Sequence, residues 1–154
     1  MNLKKIILII LLISWMITIF IFSAQGGDDS GGTSRDTIAF ILDKLSITDN
    51  MPELEKEQLI EDLQTPIRKL AHFSIYCVGG IISFSLANQY DIKLSKKILI
   101  AIGICVIYAI TDEIHQAFVP GRSCEIRDVL IDSSGAVLGI FICNIKNIVH
   151  RKDT

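Results

Sequence analysis

Four apolar blocks, each long enough to cross the hydrocarbon of a bilayer, constrain this chain more than any other feature. They fall at about residues 6–22, 66–87, 98–118 and 129–145, and a spanning helix needs about 20 apolar residues. In lipid only a helix or a closed barrel satisfies its own backbone, and uninterrupted blocks of this length specify helices. The predicted fold class is therefore all-α: an integral membrane four-helix transmembrane bundle, a single domain over residues 1–154. A formal net charge of −2 on a chain that is 50% hydrophobic argues against a nucleic-acid partner. Cys77, Cys105, Cys124 and Cys143 form no CxxC pair and read as small core or loop residues, not as a disulfide or zinc framework.

The first block follows Lys4 and Lys5 and exceeds a signal-peptide core in length, so it reads as an uncleaved span. Residues 23–34 are rich in Gly, Ser and Asp and predict a loop. Ile38, Ile41, Leu42 and Leu45 at helical spacing predict a short amphipathic helix over 36–45. Leu54, Leu59, Ile60 and Leu63 predict a second over 53–64, and both are expected to lie on the membrane surface. Thr65-Pro66 reads as an N-cap and first-turn proline opening the second span. An acidic insert, residues 23–65 (Asp28, Asp29, Asp36, Asp43, Asp49 and five further carboxylates), thus separates spans one and two.

Lys4, Lys5, Lys93, Lys96, Lys97, Lys146, Arg151 and Lys152 all fall on one side of a four-span bundle. The positive-inside rule then predicts a multi-pass protein of the cell membrane with both termini cytoplasmic. Arg68, Lys69, Arg122 and Arg127 go against that bias, at the outer end.

Ionisable groups within apolar helices carry the functional argument, because each costs about 2.5–3.5 kcal/mol at mid-bilayer on insertion scales. At about 100° per residue, Arg68, His72 and Tyr76 share a face of the second span, with Lys69 beside them. Asp112, His115 and Gln116 share a face of the third span, with Glu113 at its edge. Asp128 and Asp132 line up with Gly135 and Gly139 on the fourth, where the glycines would let a neighbouring backbone approach. All these charges sit towards the outer end of their spans, and lipid solvates none of them. The faces are expected to pack together around an outward-facing polar pocket that also takes Arg122 from the third loop. His72, His115, Asp112 and Glu113 are the candidates for acid–base work. No metal is expected; Asp112, Asp128 and Asp132 are the carboxylates a divalent cation would use. No cofactor can be assigned.

Three strings of residues carry a resemblance. They are Phe22-Ser23-Ala24-Gln25 after the first span, Arg68-Lys69-Leu70-Ala71-His72-Phe73-Ser74-Ile75-Tyr76 in the second, and Asp112-Glu113-Ile114-His115-Gln116-Ala117-Phe118-Val119-Pro120-Gly121-Arg122 followed by Asp128 and Asp132. In this order, over nearly the whole chain, they resemble the VanZ-like family. The resemblance implies a small bacterial multi-pass membrane protein, related to a factor giving low-level resistance to the glycopeptide teicoplanin. It implies key positions at Gln25, Arg68, Lys69, His72, Asp112, Glu113, His115, Gln116, Gly121, Arg122, Asp128 and Asp132, and it brings no settled biochemical activity.

The leading functional expectation is a pocket for a membrane lipid, with an undecaprenyl-linked or phospholipid headgroup or a cell-wall precursor held by the arginines. Two alternatives stand beside it. One is a membrane-embedded enzyme that modifies a lipid or a lipid phosphate with His and Asp residues. The other is a structural partner protein whose charges form only a self-neutralising network.

Overall fold

The computed structural model describes residues 2–152, and the side chains within that range except those of 27–31 and 146–152. Asp28 and Asp29 of the acidic insert, and Lys146, Arg151 and Lys152 of the tail, therefore lie outside the described side chains. The described chain is five helices without a strand: α1 (Leu3–Ser23), α2 (Gly27–Lys44), α3 (Glu53–Ala87), α4 (Leu94–Gln116) and α5 (Ile126–Lys152). Of these α1, α3, α4 and the Ile126–Ile145 portion of α5 are long and apolar enough to cross a membrane. The Asn2 side chain caps α1 by accepting the Lys5 N–H at 3.0 Å, which satisfies one of the orphan donors of a helix start.

Contacts at the two ends show how the helices alternate. The Lys5 ammonium sits 4.2 Å above the Tyr90 ring, joining the start of α1 to the α3–α4 turn. At the other end Arg122 donates to the carbonyls of Gln25 and Phe22, joining the end of α1 to the α4–α5 loop. The spans therefore run up and down in turn. Ile10, Ile13, Ile17 and Ile21 of α1, Ile107 and Ile114 of α4 and Phe141 of α5 are all exposed. A water-soluble monomer rarely leaves so continuous an apolar surface uncovered, whereas lipid covers it at no cost.

α3 is the central element and packs against each of the other four helices. Its seam with α5 is a backbone-to-backbone contact. A Cβ on Gly135 or Gly139 would overlap the carbonyl oxygen of Phe73 or Cys77, and one on Gly80 would overlap that of Ala136. In lipid, where the hydrophobic effect between helices is absent, such close approach supplies the attraction. The core beside this seam joins Trp15, Ile19, Tyr76, Cys105, Ala109 and Ala136. Trp15, which reads in the sequence as an ordinary apolar-span residue, is one of its keystones. Its Nε1 donates to the Ile75 carbonyl at 2.8 Å, its ring stands T-shaped to Tyr76, and it fills the space over Gly79. A uniformly apolar helix carries no periodicity from which that inward face could be read.

The insert differs most from expectation. The Gly/Ser/Asp-rich stretch predicted as loop is helical from Gly27 onwards, and the predicted helix over 53–64 is no separate element. It is the first third of α3, which runs through Pro66 without a break. An interior proline removes a hydrogen bond and costs about 3 kcal/mol or more, so the helix needs support from outside. Ile60, Leu63 and Ile67, on both sides of Pro66, pack against Ile38 and Leu42 of α2. Ion pairs between Arg35 and Glu57 (2.7 Å) and between Lys56 and Asp43 (2.9 Å) run along the same seam, and Lys56 holds the Asp43 carboxyl below its ordinary range. α2 thus acts as a splint on an extended α3 and does not lie alone on the membrane surface. The remaining boundaries move by a few residues: α4 begins at Leu94 and α5 at Ile126.

Candidate functional site

The end of the bundle where α1 and α4 finish and α5 begins holds a polar cavity of about 70 Å³. α3 contributes Arg68, Lys69 and His72, α4 Gln116, the α4–α5 loop Gly121 and Arg122, and α5 Asp128 and Asp132. The spacing of four between Arg68 and His72, and between Asp128 and Asp132, puts each pair on one helix face, one turn apart. Gly121 has a φ of 75°, a left-handed conformation that glycine adopts without strain, and this bends the loop so that Arg122 turns back over the bundle.

Each charge meets a different partner. Lys69 Nζ lies 2.6 Å from Asp128 Oδ1 and 3.6 Å from Glu125 Oε2. His72 Nδ1 is 3.7 Å from Asp132 Oδ1, close enough to attract but too long for a hydrogen bond. Asp132 is 1% exposed, and neither of its carboxylate oxygens has a hydrogen-bond partner among the described residues. Asp112, 4% exposed, accepts from Gln116 Nε2 at 2.9 Å, and that amide also reaches the buried Ser23 hydroxyl at 3.4 Å. Arg122 Nη1 donates to Gln116 Oε1 at 3.4 Å, closing a chain from the loop through α4 to Asp112. Burial, and the Arg68 guanidinium nearby, push the Arg122 group down from its ordinary value. His72, Asp112 and Asp132 converge from three helices, each with a ligating atom within 4.8 Å of the others.

Other residues singled out in the sequence lie apart from this convergence. His115 stacks on the Phe20 ring with centroids 4.6 Å apart; it does not line the polar cavity, and its buried Nε2 has no hydrogen-bond partner among the described residues. Its position on α4 turns it towards α1, one helical step away from Asp112. Glu113 is buried and accepts the Glu125 N–H at 2.8 Å, so it pins the α4–α5 loop. Tyr76 is fully buried against Trp15, and its hydroxyl also lacks a hydrogen-bond partner. Gln25 serves through its main-chain carbonyl. Asp128 pairs with Lys69 instead of joining Asp112 and Asp132, so the carboxylate trio named from sequence is not one cluster, and His72 takes the third place. Arg127 is exposed and lines no cavity. Glu125, which ties both Lys69 and Glu113 to the loop, carries no sequence signal beyond being a polar loop residue.

A second, mostly apolar cavity of about 290 Å³ lies between α1, α2 and α3. Ile19, Phe22, Ile67, Ala71 and Ile75 supply its apolar walls. Arg68, His72 and Arg122 line both cavities and so form the wall between them. Among the described residues, half-buried Arg68 makes no hydrogen bond or ion pair, and Arg122 donates only to neutral oxygens.

A four-span antiparallel helix bundle with an ionisable cavity at one end defines a multi-pass α-helical membrane protein. The VanZ/LLP1 family model matches residues 8–147, from α1 into α5. The chain belongs to the VanZ/LLP1 family. No curated protein and no solved structure matches it.

Proposed function

We propose that this protein binds the phosphate-bearing headgroup of a membrane lipid, or of an undecaprenyl-linked cell-wall precursor, in the polar cavity, with the chain of that lipid in the apolar groove. The observation that carries the reading is Arg68: a half-buried arginine with no ion-pair partner among the described residues, beside Arg122, in the wall common to both cavities. Two neighbouring guanidinium groups in a low-dielectric setting repel each other, and an anion between them relieves that repulsion. The planar fork of each matches the oxygens of a phosphate. The distribution of Lys and Arg supports an extracytoplasmic position for the cavity in a cell-membrane protein with both termini in the cytoplasm. A role in the response to teicoplanin-type glycopeptides is consistent with that location, since such drugs act at the outer surface.

The test is mass spectrometry of lipid retained by protein purified in nanodiscs, paired with teicoplanin susceptibility of cells carrying the same variants. Arg68→Gln and Arg122→Gln should each lower phospholipid or polyprenyl-phosphate retention about tenfold, equivalent to one lost charge-assisted contact, and should remove any protection. Unchanged retention in both variants rules the reading out. An enzyme acting on the same lipid phosphate is the second reading, favoured by the unpartnered Asp132 carboxylate facing His72. Release of phosphate from a labelled polyprenyl phosphate by the same preparation separates turnover from binding.

A further inference from the structure

We propose that His72, Asp112 and Asp132 together hold one divalent transition-metal ion at the inner wall of the polar cavity. Three helices, α3, α4 and α5, each bring one ligating side chain to a common point, with the ligating atoms within 4.8 Å of one another. Atoms bound at about 2.1 Å to a shared ion lie at most about 4.2 Å apart, so small side-chain rotations bring all three onto one ion.

Independent support comes from Asp132. Both of its oxygens are buried and without a hydrogen bond among the described residues, although buried polar side-chain atoms ordinarily have at least one partner. Nor do the cations of the site serve this pair of acids, since Arg68 makes no ion pair among the described residues. Lys69 is committed to Asp128 and Glu125, and Arg122 donates to two main-chain carbonyls and to Gln116. Among the described residues only His72 pairs with Asp132, at 3.7 Å. Two buried carboxylates beside one imidazole are electrostatically incomplete, whereas a doubly charged ion makes the cluster neutral with His72 in its neutral form.

The donor set selects the ion. One imidazole nitrogen and two carboxylate oxygens suit Zn²⁺ or Mn²⁺, while Mg²⁺ and Ca²⁺ prefer oxygen alone. A supporting shell is already in place, because Gln116 orients Asp112 through its amide and is itself held by Arg122, and such outer contacts fix ligand geometry in metal sites. Three protein ligands leave a coordination position open on the cavity side, as in catalytic rather than structural sites.

The experiment uses the full chain in detergent, stripped with chelator and then titrated with Zn²⁺, Mn²⁺ or Co²⁺ alone, with no lipid added. Wild type should take up one equivalent of Zn²⁺ or Mn²⁺. Co²⁺ should give visible d–d bands that shift when His72→Gln removes the nitrogen ligand. Asp132→Asn and His72→Gln should each weaken uptake at least about tenfold, while Asp43→Asn, an acid paired with Lys56 on the α2–α3 seam, should not. Uptake no greater than a detergent blank overturns the site, as does full uptake in both ligand variants. If Asp132→Asn does not fold, the Co²⁺ spectrum of His72→Gln decides. Lipid retention by Arg68→Gln is read separately, so failure of the metal site and failure of the headgroup site are distinguishable.

Discussion

Lys69 on α3 and Asp132 on α5 show two opposite fates for a charge inside an apolar helix. Lys69 finds Asp128 at 2.6 Å, whereas Asp132 has both oxygens buried without a hydrogen bond. Replacing Lys69 with Met should destabilise the fold by about 1–3 kcal/mol, because Asp128 is then left partly buried without its donor. Adding Asp128→Asn should recover part of that loss, giving a coupling energy of about 1 kcal/mol in a double-mutant cycle. Equilibrium unfolding in mixed micelles measures both, and strictly additive effects would show that the pair contributes nothing. That Arg68, Lys69, His72, Asp112, Asp128 and Asp132 are candidates for a site is legible in the sequence, because charges within apolar segments are costly. Which acid each base meets is not legible. Asp128 and Asp132 differ by one turn, about 6 Å, and only the packing of α5 on α3 decides between them.

At the scale of elements, the α3–α5 seam positions the site. Gly139→Ala should cost about 1–3 kcal/mol, because its methyl group meets a main-chain carbonyl that cannot rotate away. Gly103→Ala on α4 should be close to neutral, since nothing lies within 4 Å of the added carbon. The two variants compared in the same unfolding assay check this, and equal stability would mean that the seam is looser than a backbone contact requires. The insert teaches a related lesson. Thr65-Pro66 carries the local signature of a helix start, and local chemistry would break the chain there. The packing of Ile60, Leu63 and Ile67 on α2 overrides it, and no window of sequence around Pro66 contains Ile38 or Leu42.

For the molecule as a whole, Cys124 reports orientation. It is exposed in the α4–α5 loop, whereas Cys105 is buried and Cys77 and Cys143 are half-buried within spans. On the proposed topology, with both termini cytoplasmic, an impermeant maleimide should label Cys124 in intact cells; labelling only after permeabilisation would invert the topology. Partial desolvation and the neighbouring Glu113 hold this thiol above its ordinary value. The reactive thiolate is therefore scarcer at neutral pH, and the labelling rate should keep climbing as the pH rises beyond the usual thiol range. A rate that levels off at the usual range would remove Glu113 from the neighbourhood of Cys124.

Fold class, span number and the polar character of one end of the bundle follow from the sequence by itself, because bilayer thickness and the cost of buried charge act on every residue wherever its neighbours lie. The tertiary structure alone decided the rest. It placed His72 with Asp112 and Asp132, sent Asp128 to Lys69, turned His115 onto Phe20 and left Arg68 without an ion-pair partner among the described residues. Those outcomes depend on the rotation and register of helices that sit close together only after folding, and differences of a single turn change every partner.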